Sequence, residues 1–319
     1  MLLALVLLAR FALRARERRD AWLAVVLVAS LVFYGWFVPW YLVLMLFSPG
    51  VDWYASLRIA ALPAGHPSRK RWLVLSLGVN LGLLGFFKYA NFAVDNVREL
   101  ATILGLPSGA PRAFDLLLPI GISFYTFEAM SYTIDAYRGT LVPVRRFRDF
   151  LLFVSFFPHL VAGPIVRARD FLRQIPRHRP PRAAVWLQGG WLVVQGFFLK
   201  MVVADNLGSL LDPLWALGYE PDANASTSLL LAVLFAAQIL CDFGGYSSIA
   251  CGLAYWLGFR LPENFNSPYA AASFQEFWRR WHITLSTWLR DYLYVPLGGN
   301  RRGLVRTHVN LMITMLLGG

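Results

Sequence analysis

The sequence predicts an all-α polytopic membrane protein, and three observations carry that prediction. Hydrophobic residues make up 57% and charged residues 15% of the 319 positions, with a mean hydropathy of +0.52, whereas charged residues approach ~25% in soluble domains. Apolar runs of about 20 residues recur, the length that crosses ~30 Å of hydrocarbon as a helix. Arginines cluster in the short segments between those runs, where they orient the spans. The net charge of +12 is therefore a topology signal, and nucleic-acid binding is set aside. Backbone groups in lipid must be satisfied within their own segment, so the runs are helices. Cys241 and Cys251 share one apolar run, which suggests neither a disulfide framework nor a metal site.

Taken in order, the chain opens with MLLALVLLARFALRARERR, whose positive charges follow the apolar run. That is the reverse of a cleavable signal peptide, and it reads as a retained anchor with its N-terminus outside. Residues 10 to 20 hold five arginines, which places that loop in the cytoplasm. Trp22 to Phe47 contains Pro39, and the loop after it carries Arg58, Arg69, Lys70 and Arg71. The two basic loops clash in parity unless 22–47 is a kinked re-entrant unit or the first segment does not cross. Trp72 to Ala90 then crosses outward, Asn91 to Ala113 is expected as a near-neutral loop, and Phe114 to Tyr137 returns to Arg138, Arg145, Arg146 and Arg148. A second group, Arg167 to Arg182, contains six arginines. Between the two groups lies DFLLFVSFFPHLVAGPIV, with Pro158, Gly163 and Pro164 where a helix must break. The expectation for 149–166 is a re-entrant pair of half helices lining a cavity.

Ala184 to Val203 crosses outward, Ala204 to Thr227 is an acidic loop with four acids, and Ser228 to Leu257 returns. Gly258 to Val305 is too polar to cross and too aromatic for a plain loop. The run Asn310 to Gly319 is ten residues long, about half a bilayer at ~1.5 Å per residue. That length suggests a fragment or a truncated gene. The whole of 1–319 is expected to form a single membrane-embedded domain.

On a helical wheel, Phe274, Phe277, Trp278, Trp281, Leu285, Trp288, Leu289 and Tyr292 form one apolar stripe, with Arg279, Arg280, Arg290 and Asp291 turned away. This predicts one interfacial helix from Phe274 to Tyr292 with an aromatic belt. His282 falls at the edge of the stripe beside Gln275 and Ser286. An imidazole there suits general-base work near neutral pH, and it suits equally a bond to a headgroup or a backbone carbonyl; geometry alone favours the second. Ser286 lies one turn from His282, but no G-x-S-x-G elbow accompanies it and a nucleophilic triad is not supported. The five histidines are isolated, without H-x-x-x-H or C-x-x-C spacing, so no metal is expected. Asp242 in ILCDFGGYSSIACG and Glu128 in ISFYTFEAMSY are ionisable groups at depth, and each is a functional candidate for that reason. The alternative for each is a packing hydrogen bond or salt bridge, with Lys200 a candidate partner. Gly244 and Gly245 would let another helix approach. His159, in the expected re-entrant segment, completes a set that suggests a polar interior.

The motifs LLPIGISFYTFEAMSYTIDAYRG, FFPHLVAGPIVR, CDFGGYSSIACG, GFRLPENFNSPY and EFWRRWHITLSTWLRDYLYVPLGGNRRG, together with KYANF at Lys88 to Phe92, resemble the membrane-bound O-acyltransferase family. Within it they are similar to the branch of bacterial alginate O-acetyltransferase membrane subunits. The resemblance runs from about Gly85 to Gly319. It implies a ring of tilted transmembrane helices, with re-entrant and interfacial helices, around a funnel with a histidine at its constriction. It also implies transfer of an acyl group from a cytoplasmic thioester, acetyl-CoA or an acyl carrier, to a hydroxyl of a cell-surface polysaccharide. No tightly bound cofactor is implied. The implied setting is the multi-pass bacterial inner membrane, with lipid around the chain and a periplasmic or extracellular acetyltransferase partner completing the transfer.

By resemblance His282 is the catalytic position of the W-R-R-W-H motif. A second family histidine, in L-W-H-G after MLLGG, would follow Gly319 and act as the base. His282 would then bond the acyl donor or orient its thioester, with Arg279 and Arg280 drawing donor phosphates to the cytoplasmic mouth. Asp242, Tyr246, Trp278, Ser286, Asn264, Glu128 and His159 would bind substrate or line the polar interior. Where relatives often read D-F-S-G-Y-S-D, this chain has Gly244 and Ser248, which removes a hydroxyl and a carboxylate from that lining. A chain complete at 319 residues would be a crippled enzyme; a fragment would come from an ordinary one. The competing readings are a transporter or flippase, and a non-catalytic subunit of an envelope assembly.

Overall fold

The computed structural model describes residues 1–13, 18–105, 118–177, 181–216 and 225–318. Every regular element among them is helical. The chain divides into two compact units: Met1–Val6 with Asp20–Val161 and Arg167–Leu172, and Leu7–Arg19 with Ala162–Val166 and Arg173–Gly319. A first helix, α1, spans Leu2–Ala12.

In the first unit, α2 (Arg19–Gly35) and α3 (Tyr41–Ala60) meet at a break that contains Pro39, as a fixed φ and a missing N–H dictate. The expected kinked unit over 22–47 is therefore two helices. Its second limb runs on to Ala60, so Arg58 is helical and the basic loop shrinks to 61–66. α4 (Pro67–Ile103) starts with proline in its first turn, and the Ser68 N–H donates to His66 Nδ1 at 3.2 Å. At 37 residues it is roughly 55 Å long, well beyond one hydrocarbon thickness. The loop expected from Asn91 is thus helix as far as Ile103. Hydropathy ends a span where polar residues begin, but here the polar residues serve the helix: Arg98 pairs with Asp95 at 3.3 Å, and Asn96 and Thr102 bond carbonyls one turn back. Residues 106–113 of that loop, and the start of the span expected from Phe114, lie outside the described residues.

α5 (Ile122–Arg138) is bounded by Gly121 and Gly139, both left-handed with φ of 71° and 75°. A Cβ at Gly121 would sit 2.1 Å from the Leu160 carbonyl oxygen, so only glycine fits there. After α6 (Phe147–Ser155) the chain is irregular until α7 (Ala168–Leu172). The expected pair of half helices over 149–166 is thus one helical limb and one irregular limb. Pro158, Gly163 and Pro164 leave no room for a second helical ladder. Phe150, Phe153, Phe156 and Phe171 are fully buried beside these limbs.

In the second unit, α8 (Ala183–Phe197) passes through a π-helix, Phe198–Ala204, into α9 (Asp205–Ala216). The acidic loop expected from Ala204 is helical to Ala216, with Asp205 paired to Lys200; Glu220 and Asp222 lie outside the described residues, as does Arg179 of the arginine group. α10 (Ala225–Leu257) crosses α8 at close range. A Cβ on Gly196 would meet the Gly245 carbonyl oxygen at 2.6 Å, and one on Gly252 the Gly189 oxygen at 2.5 Å. Glycines spaced by seven on both helices thus form two rungs of an antiparallel contact, the close approach that small residues permit in lipid. Gly245 bears out the expected approach; a Cβ on Gly244 would meet nothing closer than 3.9 Å. Three described segments are long and apolar enough to cross a membrane: Pro67–Ile103, Ala183–Leu214 and Ala225–Leu257. Trp191, Val194, Leu229, Leu230 and Val233 are exposed along the last two, as lipid-facing surfaces require. Beyond α10 come a 3₁₀ turn (Pro268–Ala270), α11 (Phe274–Arg280), α12 (Ile283–Leu289), a π-helix (Arg290–Tyr294) and α13 (Leu304–Gly318).

Candidate functional site

The single helix expected from Phe274 to Tyr292 is broken in its middle. α11 starts on a Ser273 cap, whose side chain accepts the Glu276 N–H at 3.1 Å. It ends at Arg280; Trp281 is extended, and His282 adopts a left-handed conformation with φ 40° and ψ 54°. No proline or glycine marks the break. A clasp from another segment holds it open: the Asn266 N–H donates to the Arg280 carbonyl at 3.0 Å, and the Ile283 N–H to the Asn264 carbonyl at 2.9 Å. A left-handed histidine is a sparsely populated state that persists only where its surroundings over-determine it.

The same segment supplies the side-chain partner. His282 Nδ1 lies 3.0 Å from Asn264 Oδ1, which also accepts the Thr284 hydroxyl at 2.8 Å and the Thr284 N–H at 3.4 Å. Asn264 Nδ2 donates to Ser247 Oγ at 3.2 Å, and the Ile165 N–H donates to Thr284 Oγ1 at 3.0 Å. The imidazole is only 9% exposed, with the Phe243 ring perpendicular at 4.7 Å and Phe265 at 6.2 Å. Burial among these rings brings the His282 pKa down to about 4, so the ring is neutral at physiological pH. It can then accept or donate one hydrogen bond at each nitrogen.

The other sequence candidates fall into separate groups. Arg280 bonds Glu276 one turn away at 2.6 Å, and Glu276 also accepts the Ala272 N–H at 2.9 Å. That N–H, and then the Arg280 guanidinium, hold the Glu276 carboxyl below its usual range. Ser286 Oγ donates to the Trp281 carbonyl at 3.2 Å, serving the break and not the imidazole. Trp278 is 36% exposed against Phe274 and Phe277, beside Arg279. Asp242 pairs with Lys200 Nζ at 2.8 Å, Asp205 holds the same ammonium at 2.5 Å, and Lys200 lies over the Tyr246 ring at 5.6 Å. This is the structural salt bridge that was the alternative for Asp242. In the first unit, His159 Nδ1 lies 3.5 Å from Glu128 Oε1 with both side chains 1% exposed, and His159 Nε2 lies 3.2 Å from the Phe153 carbonyl. Glu128 thus faces His159, a contact that is an ion pair only when the imidazole is protonated.

Three polar residues escaped the sequence reading. Ser247 and Thr284 complete the shell around Asn264, and only their spacing in small-residue and hydroxyl-rich stretches hinted at it. Asp52 is the third: it is fully buried in α3, and accepts from Ser76 at 2.5 Å, from Asn80 at 2.8 and 2.9 Å and from Thr133 at 3.5 Å. An acid within an apolar helix was the available signal, the one that identified Asp242.

Comparison with known proteins places these elements in context. Residues 145–319 match the family model described as MBOAT, membrane-bound O-acyltransferase family. The chain is 46% identical over 293 residues to the probable alginate O-acetylase AlgI of Pseudomonas aeruginosa, covering 92% of this chain and 55% of that protein. It is 32% identical over 320 residues to the peptidoglycan O-acetyltransferase of Helicobacter pylori (92% and 59%), and 29% identical over 183 residues to the teichoic acid D-alanyltransferase of Bacillus subtilis (57% and 46%). The chain spans about half the length of the curated relatives it matches. The matched region contains the clasp, the Asn264 shell and His282.

Proposed function

Because the chain belongs to the membrane-bound O-acyltransferase family, we propose that it takes part in moving an acetyl group from a cytoplasmic thioester to hydroxyls of a cell-surface polysaccharide such as alginate. The observation that carries this reading is the buried, neutral His282, held in a strained backbone conformation by Asn264. A strained, over-determined, nearly buried imidazole is what a reacting group looks like.

The chemistry follows from the donor. A thioester is already activated, so the protein has to bring an alcohol to it, accept the alcohol's proton and stabilise the oxyanion at the carbonyl. A neutral imidazole in a water-poor, aromatic environment suits proton handling or positioning at such a centre. Arg279 and Arg280 at the end of α11 suit the phosphates of acetyl-CoA or an acyl carrier. Asp242, Tyr246, Trp278, Ser286, Glu128 and His159 remain candidates for the polar lining, and residues 1–319 are read as parts of one acyltransferase domain. The setting is the multi-pass bacterial inner membrane, with a periplasmic or extracellular acetyltransferase as partner.

The test is acetyl transfer from labelled acetyl-CoA in membranes of cells expressing the full-length gene product and making the polymer. His282→Gln should lower polymer acetylation by roughly two orders of magnitude or more. Near-normal acetylation would remove His282 from the reaction, and a purified protein that never consumes thioester would favour a transporter or a scaffold.

A further inference from the structure

We infer that Asn264 is a positioning residue that fixes His282 as its Nδ1–H tautomer and leaves Nε2 as a hydrogen-bond acceptor. The argument starts from a group whose polarity is certain. The Thr284 backbone N–H can only donate, and it points at one branch of the Asn264 amide at 3.4 Å, so that branch is the oxygen. The Thr284 hydroxyl agrees: it accepts the Ile165 N–H, so its own hydrogen is available for the same oxygen at 2.8 Å. The other branch, Nδ2, donates to Ser247 Oγ. His282 Nδ1, 3.0 Å from that oxygen, therefore faces an atom that only accepts, and must carry the hydrogen itself. A neutral imidazole holds one N–H. Nε2 makes no side-chain hydrogen bond among the described residues, and its lone pair is left for a ligand.

On the acyltransferase reading, this narrows what His282 does. Nε2 accepts from a hydroxyl or from an amide N–H of the donor; it does not donate to the thioester carbonyl or to an oxyanion. The bond from Nδ1–H to Asn264 would also strengthen if Nε2 took up a proton, because a charged donor makes the shorter, stronger bond. Asn264 never touches the reacting atoms in this scheme. It acts through the imidazole, as the partner of a histidine's second nitrogen commonly does.

The experiment is ¹⁵N magnetic resonance of the ring-labelled histidines in the full-length protein, with His282 assigned by the signal that His282→Gln removes. Above the imidazole's ordinary titration range, the wild type is expected to show a protonated Nδ1 and a bare Nε2. Asn264→Leu should move the proton to Nε2 and lower kcat by roughly tenfold or more, with KM for the thioester little changed. Asn264→Asp, which keeps an oxygen toward Nδ1, should retain the wild-type tautomer and recover most of kcat. A wild-type spectrum with the proton on Nε2, or an unchanged tautomer in folded Asn264→Leu, overturns the inference. The spectrum does not depend on turnover: the expected tautomer in a protein without acyl transfer would sink the proposed function and leave this assignment standing.

Discussion

Replacing Asp52 by alanine tests whether the buried cluster of the first unit holds α3, α4 and α5 together. The carboxylate has no cation partner among the described residues. Its hydrogen bonds are the four from Ser76, Asn80 and Thr133, one of them long at 3.5 Å. At the ~0.6 kcal/mol typical of a side-chain hydrogen bond inside a membrane protein, their loss is worth about 2 kcal/mol. The upper bound comes from the groups left behind. Ser76 keeps Thr133 at 3.0 Å and Asn80 Nδ2 keeps the Ser76 carbonyl at 2.9 Å. Few donors are therefore orphaned, and the total stays below ~4 kcal/mol at 1–3 kcal/mol for each unsatisfied group. Asp52→Asn keeps the shape and one acceptor oxygen while setting one amide against Asn80 Nδ2, so its loss should be near 1 kcal/mol. Equilibrium unfolding of the purified protein in mixed micelles, followed by helical dichroism, measures both. If Asp52→Ala unfolds at the wild-type denaturant fraction, or Asp52→Asn loses more than Asp52→Ala, the cluster is not what braces these helices.

Two further expectations follow from the second unit. His282 has a folded pKa of about 4 against an ordinary 6.5, so the unfolded chain binds the proton more readily. The stability that the neutral ring contributes is complete above about pH 6.5 and is lost as pH falls toward 4, by up to ~3 kcal/mol. The same unfolding assay run against pH should show this loss in the wild type and a reduced one in His282→Gln; equal pH profiles would contradict it. Gly196→Ala and Gly252→Ala place a methyl at 2.6 and 2.5 Å from a facing carbonyl oxygen, and should each destabilise by about 1–3 kcal/mol. Gly190→Ala, whose nearest new contact is 3.8 Å away on Trp256, is the control; equal effects at 190 and 196 would refute the close crossing.

The spans were legible because hydropathy and arginine placement report the solvent around a segment, which is why α8 and α10 fall close to their expected limits. The same signal failed at Asn91 and at Ala204, where helices continue into polar sequence on local pairing such as Arg98 with Asp95. The break at His282 was illegible for a different reason. A helical wheel knows only neighbours along one helix, and the stretch WRRWHITL has no breaker in it. What opens the helix comes from Asn264 and Asn266, contacts distant in sequence. Asn264 itself was identified by motif resemblance, but its bond to His282 needed coordinates.

The π-helix at Phe198–Ala204 is, in effect, an α-helix carrying a surplus residue. Delete one residue between Lys200 and Asp205 and an unbroken α-helix becomes available with its far end still in phase, because the wide π turn is what absorbs the extra residue. The glycine rungs upstream would be untouched, and Asp205 would stand four residues from Lys200 instead of five, still on the same face of the helix. One codon thus separates a wide turn from a regular one in the same rod. The ammonium shared by Asp205 and Asp242 is the pin that holds the flanks of that turn in register.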